Sequence, residues 1–269
     1  MEEVLKTEPD IKDAKDCGKR NEEDTREVLC FENVNFRFSD AEENTLENIS
    51  FSCRRGETTA IIGSTGSGKS TIARLILRFH DVSQGRILLK GQDIRSLPQK
   101  ELRQEISYVP QKAWLFSGTI EENLAQGKEN AKREEMFHAL ETAQAGFVKN
   151  LPQGLETRVA QGGTNFSGGQ KQRLCIARAL MKASDLYIFD DSFSALDFKT
   201  DKALRDALQE ETKEAAVLII AQRISTILHA SQIVVLDEGE IAGVGNHEYL
   251  MENCTIYRDI ARSQMKGGE

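Results

Sequence analysis

Nine residues, GSTGSGKST at positions 63–71, constrain this chain more than any other stretch. They lie between an apolar strand-like run, residues 58–62 (TTAII), and an apolar helix-like run, residues 72–79 (IARLILRF). A phosphate-cradling loop needs that context, because a strand must deliver the loop and a helix N-terminus must receive the anion. Gly63, Gly66 and Gly68 let the backbone bend into a concave nest of N–H groups. A helix starting near Lys69 adds the positive end of its dipole, Lys69 brings a full charge to the outer phosphates, and the Ser70 hydroxyl is placed to ligate Mg²⁺. With Ser64, Thr65, Ser67 and Thr71 completing the loop, the stretch predicts nucleotide binding rather than a chance glycine turn.

The bulk numbers exclude several alternatives. A net charge of -8 over 269 residues offers nothing to a nucleic-acid backbone, so no nucleic-acid partner is expected. The longest apolar run, residues 215–221, is far short of the roughly 18 residues of a membrane span, and no secretory signal is visible, so the chain reads as soluble. Cys17, Cys30, Cys53, Cys175 and Cys254 are dispersed without C-x-x-C pairing, and His80, His138, His229 and His247 lack metal-ligand spacing. They read as reduced thiols and ordinary histidines, with no structural metal.

Residues 1–27 carry charge of both signs with Pro9 and Gly18 as breakers, which predicts a mobile linker or tail, with room for a short helix over 2–6. Order is expected from Val28. Residues 29–38 (LCFENVNFRF), 46–53 (LENISFSC) and 86–89 predict a β-rich layer against the nucleotide-binding core, and residues 106–109 predict a further strand. Helical patterns at 120–125 and 132–145 and an irregular stretch at 151–163 predict a helical insertion. A helix then opens at NFSGGQKQR, residues 186–189 (LYIF) form a buried strand ending in Asp190-Asp191, and a helix follows over 203–210. Residues 217–220 form a strand with Gln222 past its end, residues 233–236 and 240–244 a hairpin, and residues 248–264 one amphipathic packing helix. Alternating strands and helices predict an α/β fold whose mostly parallel sheet presents Gly63, Asp190 and Gln222 at neighbouring strand ends.

The loop at 63–71, Gln111 in YVPQ, Ser167-Gly168-Gly169-Gln170, Asp190-Asp191 after LYIF, and Ser194-Ala195-Leu196-Asp197 occur in an order and spacing that resembles ATP-binding cassette (ABC) nucleotide-binding domains. The resemblance covers about 28–264. It implies a P-loop NTPase core with a mostly parallel sheet, an antiparallel β layer and a helical subdomain at about 113–165. It also implies ATP and Mg²⁺ as ligands. By position, Phe38 is similar to the aromatic on which adenine stacks, a contact that does not require tyrosine, while Phe36 suits the core. Gln111 matches the residue that contacts Mg²⁺ and the attacking water, with Ser70 and Asp190 as the other metal positions. Ser167 to Gln170 matches the signature that reaches the γ-phosphate of ATP on the opposite domain, although a serine before glycines is by default a helix cap. Asp197 belongs to the loop that contacts that partner, so a head-to-tail pair is implied.

Two positions depart from the family pattern. Aspartate stands at 191 where glutamate is usual, and glutamine at 222 where histidine is usual. Together they resemble the degenerate-site subunit of a heterodimeric multidrug-type exporter: little hydrolysis at this loop, while Ser167–Gln170 completes the partner's site. Residues 3–13 resemble the linker after a last transmembrane helix, implying a transmembrane domain absent from this chain and a place on the cytoplasmic face of the cell membrane. The resulting expectation is a transport-coupled ATPase with low intrinsic activity. Its alternatives are a regulatory ATP-dependent dimerisation clamp and, from a third class, a non-transport cassette protein, for which 269 residues leave no room for the usual insertions.

Overall fold

Three strands set the architecture. In the computed structural model, which describes residues 11–13 and 26–266, β3 (Thr58–Gly63), β9 (Leu186–Asp190) and β10 (Ala216–Ile220) lie side by side in the order β3-β10-β9, all parallel. Every residue of β9 and β10 is buried, the pattern of strands covered on both faces. Alternation then divides their side chains between two cores: Leu186, Ile188, Leu218 and Ile220 join one cluster, Tyr187, Phe189, Val217 and Ile219 the other. Outside them, β6 (Ile106–Val109) pairs parallel with β9 and β11 (Gln232–Asp237) parallel with β3. The hairpin partner β12 (Glu240–Gly245) runs antiparallel at the edge.

A second, antiparallel sheet has the order β2-β1-β4-β5, from β1 (Glu27–Phe36), β2 (Leu46–Arg54), β4 (Gln84–Leu89) and β5 (Gln92–Asp93). Its inner residues Phe31, Val34, Ile49 and Ile87 share a core with Ile72, Leu75 and Ile76 of α1 (Lys69–Ile76), the helix after the glycine loop. That core clamps α1 between the two sheets. The α/β class, the mostly parallel sheet and the antiparallel layer therefore match the sequence expectation.

Several boundaries differ from it. The apolar run to residue 79 predicts a longer α1, but the helix stops at Ile76 because Arg78 turns left-handed with φ 52°. Short α2 (Gln99–Gln104) follows Pro98 and was not expected. The segment expected to be a helical insertion carries α3 (Ile120–Ala125), α4 (Arg133–Thr142), three 3₁₀ turns and the two-residue pair β7 (Gly118–Thr119) and β8 (Arg158–Val159). After α5 (Gly168–Leu180), α6 spans Phe198–Glu211, five residues earlier than the pattern suggests, because Asp197 caps it by accepting from the Thr200 N–H at 3.0 Å. A four-residue α7 (Ile224–Ile227) was also not foreseen. The C-terminal helix is two, α8 (His247–Asn253) and α9 (Thr255–Lys266), broken at extended Cys254. The break keeps Leu250, Cys254, Tyr257 and Ala261 in one core. The short helix suggested at 2–6 lies outside the described residues.

Candidate functional site

The loop at 63–71 is shaped by crowding as much as by flexibility. A Cβ on Gly63 would stand 2.0 Å from the Leu236 carbonyl of neighbouring β11, and Gly68 takes φ 93° with Leu46 Cδ2 only 2.6 Å from where a Cβ would be. Gly68 is also the N-cap of α1, and no side chain among the described residues caps that helix. Among the described residues its first N–H groups therefore have no side-chain acceptor, and Lys69 and Ser70, which carry them, line the crevice in front of the loop, an arrangement that suits an anion. Lys69 donates through Nζ to the Gly63 carbonyl at 2.9 Å and to the Ser64 carbonyl, so its charge is folded over the loop. Burial pulls its pKa down, against the pull of Asp191 and Asp190.

A crevice of about 300 Å³ lies in front of the loop. Thr65, Gly66, Gly68, Lys69, Ser70 and Thr71 form one wall, and Gln111, Asp190, Asp191 and Gln222 the other. Adjacent strand ends explain the convergence: β3 leads into the loop, β9 ends in Asp190, and Gln222 lies two residues past β10. Ser67 is 2 % exposed and props the loop from inside. A larger cavity of about 690 Å³ lies at the opposite end of β9, beside Asp185, His138 and Glu211, without a glycine loop.

Asp190 is buried, and its oxygens are already directed: Oδ1 lies 3.5 Å from Ser70 Oγ, and Oδ2 accepts from the Tyr108 hydroxyl at 3.1 Å. Burial raises its pKa, reinforced by Asp191 and opposed by the bonds from Tyr108 and Ser70. Burial, with Asp190 beside it, also raises the Tyr108 pKa, so the phenol stays protonated and acts as donor. Ser70 and Asp190 supply the hard oxygen donors that suit Mg²⁺, an ion that keeps several waters and takes few protein ligands. The residues present thus fit a Mg-nucleotide.

Asp191 has φ 46°, and its N–H is tied to the Ile220 carbonyl at 2.7 Å. Its Oδ2 accepts from two amides at once, Gln111 Nε2 at 3.1 Å and Gln222 Nε2 at 3.0 Å. Both sequence departures therefore meet in one hydrogen-bonded cluster with Gln111.

Other predicted residues lie elsewhere. Phe38 sits past the end of β1, half-buried, with its ring edge-on to Phe36 at 4.7 Å and to His80 at 5.2 Å, and it does not line the crevice. Residues 167–170 are at the start of α5 and do not line it either. There Ser167 Oγ accepts from the Gln170 N–H at 3.2 Å while Gln170 Oε1 accepts from the Ser167 N–H at 3.0 Å, a closed capping box.

Three supporting residues escaped the sequence reading. Tyr108 orients Asp190; its only signal is an aromatic three positions before Gln111. Ser192, fully buried, donates to the Val109 carbonyl at 2.9 Å and stitches the end of β9 to the strand that leads to Gln111. Gln264, on α9, donates to the Gln222 carbonyl at 2.7 Å and accepts from the Ile224 N–H, fixing the loop that carries Gln222.

Comparison with known proteins places this geometry. The family described as ABC transporter matches residues 46–194, more than half of the chain. An uncharacterised ABC transporter ATP-binding protein of Mycobacterium tuberculosis is 45% identical over 241 residues, covering 88% of this chain and 41% of the relative. An ATP-dependent lipid A-core flippase of Haemophilus influenzae is 42% identical over 260 residues, covering 96% of this chain and 44% of that protein. A solved structure of a bacterial Atm1-family ABC exporter with ATP bound superposes with a TM-score of 0.92 at 36% identity, over 99% of this chain and 46% of the exporter. The chain spans less than half the length of these relatives. With a glycine loop, a buried aspartate and a glutamine-lined crevice on this fold, the chain belongs to the ABC transporter family, as its ATP-binding domain.

Proposed function

We propose that this domain binds Mg-ATP as part of a membrane exporter, and that its own site retains nucleotide while hydrolysing it poorly. In this reading the N–H groups of residues 66–71 and Lys69 hold the phosphates, Ser70, Asp190 and Gln111 hold Mg²⁺, and Phe38 turns from His80 to the adenine. Residues 167–170 face the nucleotide of a second, different nucleotide-binding domain in a head-to-tail dimer, and ATP-driven closure of that pair moves an attached transmembrane domain. The relatives named for a flippase and an exporter support the exporter class. Residues 28–269 act as the nucleotide-binding domain, with a helical subdomain at about 113–165, and residues 1–27 as the linker from the membrane part, at the cytoplasmic face.

One observation carries the degenerate-site reading: Asp191 Oδ2 is held by two neutral amides, those of Gln111 and Gln222. A carboxylate that polarises an attacking water must reach that water. Aspartate is a methylene shorter than the family's usual glutamate, and a misplacement of about 1 Å can cost about a hundredfold in rate. Gln222 can hydrogen-bond a γ-phosphate but cannot become cationic as histidine can. Binding, which rests on the loop and on positioning, survives.

The test separates binding from turnover. The purified chain is expected to bind Mg-ATP, to lose that binding in Lys69→Ala, and to hydrolyse slowly, with Asp191→Glu combined with Gln222→His raising turnover by at least about tenfold. Brisk wild-type hydrolysis abolished by Lys69→Ala would overturn the degenerate site. In the reconstituted pair, Ser167→Ala is expected to lower ATPase activity more than Asp191→Asn does, and the reverse ranking rejects the pairing.

A further inference from the structure

The carboxyl end of α1 is finished by an unusual stop on which part of the N-terminal segment is seated. The Arg78 N–H donates to the Leu75 carbonyl at 3.0 Å and the Phe79 N–H to the Arg74 carbonyl at 2.9 Å, the two bonds of a Schellman motif. Glycine is the usual residue at the left-handed position, and a side chain there costs about 1–2 kcal/mol. Arg78 occupies it at φ 52° and is 3 % exposed. Its guanidinium is divided among the Asp81 carboxylate at 2.9 Å, the Leu97 carbonyl at 3.1 Å and the carbonyl of Lys12 at 3.2 Å.

The next residue of that segment is held as well. Asp13 Oδ1 accepts from the backbone N–H of Gln99 at 3.0 Å and from its side-chain amide at 3.2 Å, at the first turn of α2. The bonds from Gln99, helped by the charges of Arg78 and Arg103, hold the Asp13 carboxyl below the usual aspartate range. Arg103 closes the circuit. It donates to the Leu77 carbonyl at 3.0 Å, the Arg78 carbonyl at 3.2 Å and Gln99 Oε1 at 2.9 Å, with its guanidinium 5.0 Å from the Phe79 ring centre. Residues 12 and 13, α2 and the last turn of α1 thus form one connected hydrogen-bond network.

We infer that the carboxyl end of α1 is the docking surface of the chain's own N-terminal segment, and that this docking is coupled to nucleotide at the other end of the same helix. The eight-residue α1 is about 12 Å long, and Ile72, Ala73, Leu75 and Ile76 are locked in the core, so it responds as one body. Phosphate fixes its amino end, and residues 12 and 13 fix its carboxyl end. Both ends thus bear on one rigid element, and any effect of one on the affinity of the other is reciprocal. The second half of this inference rests on ATP being the ligand of the loop, and the docking itself does not.

Hydrogen exchange of the peptide spanning α2, and Mg-ATP titration, on the 269-residue chain as wild type, Asp13→Ala and Asp13→Asn, test both halves. Asp13→Ala is expected to speed exchange at the start of α2 by at least about tenfold, Asp13→Asn to retain most of the protection because its amide oxygen still accepts. The Mg-ATP dissociation constant of Asp13→Ala is expected to shift by about fivefold or more, the size at which coupling between sites is ordinarily found. Unchanged exchange in Asp13→Ala overturns the docking. Lost protection with ATP affinity unchanged overturns the coupling. A wild type that binds no Mg-ATP refutes the proposed function instead, and the exchange result still decides the docking.

Discussion

Two helices of this domain have glycines at their starts, and their first turns are capped in opposite ways. At α1 the N-cap is Gly68, with no side chain among the described residues bonded to the turn. At α5 the N-cap is Ser167, and Ser167 and Gln170 satisfy each other's backbone donors. The first turn has no side-chain cap among the described residues, whereas in the second the capping box satisfies the Ser167 and Gln170 N–H groups within the chain. The same glycine-plus-helix pattern in sequence is thus left without a side-chain cap in one place and closed by two side chains in the other.

The strongest way to break the comparison is to place alanine in both turns. Gly68→Ala must bear a left-handed φ and a Cβ against Leu46 Cδ2 and the Thr45 carbonyl, whereas a Cβ on Gly168 meets nothing within 4 Å. We expect Gly68→Ala to weaken Mg-ATP binding by more than about a hundredfold and to lower the melting temperature, since the left-handed strain and the clash with Leu46 push the loop's N–H groups out of place. Gly168→Ala should leave binding in the isolated chain unchanged and stabilise the fold by up to about 1 kcal/mol, the helix-propensity gain of alanine over glycine. Calorimetry and titration of the two proteins check this. Equal losses of ATP affinity would show that α5 contributes to the crevice within one chain.

A smaller effect sharpens the other side. Removing the α5 cap with Ser167→Ala should cost about 1 kcal/mol of stability in urea unfolding, the ordinary value of a cap. ATP affinity of the isolated chain should stay within about twofold, because the cap does not touch the crevice and distant sites act additively. A Ser167→Ala protein that keeps its stability would mean the capping box carries no net energy.

What could be read from sequence follows from how local the cause was. β6 and α3 were expected with the bounds they have, and β9 and β10 nearly so, because a strand buried on both faces is a continuous apolar run. α2 and α7, six and four residues long, are too short to show a helical period. Within the crevice, the glycine loop and Asp190 announced themselves through composition and position. Tyr108, Ser192 and Gln264 did not, since their roles arise from pairings across the fold. Tyr108 reaches Asp190 only because β6 pairs with β9 in a register that sets Tyr108 opposite Ile188. The seat of Asp13 on α2 is of the same kind, a contact across 86 positions in the chain.

The finest distinction between the two turns is their response to pH. Asp190, beside the α1 turn, has its pKa raised in the folded protein, first by burial and then by Asp191. A carboxyl with a raised folded value binds its proton more tightly when folded, so its contribution to stability is fully present below the unfolded value. That contribution is lost as pH rises from the ordinary 3.8 through the raised folded value. The ligand-free protein should accordingly lose stability across that window, and Asp190→Asn, which has no proton to lose, should lose less. The capping box at Ser167 and Gln170 contains no titratable group, so Ser167→Ala should shift the whole stability curve without changing its slope in the same window. Urea unfolding of the three proteins across the acid range measures this. A wild-type slope matching that of Asp190→Asn would mean that the site accommodates the buried charge without cost, and that Mg²⁺ is not needed to offset it.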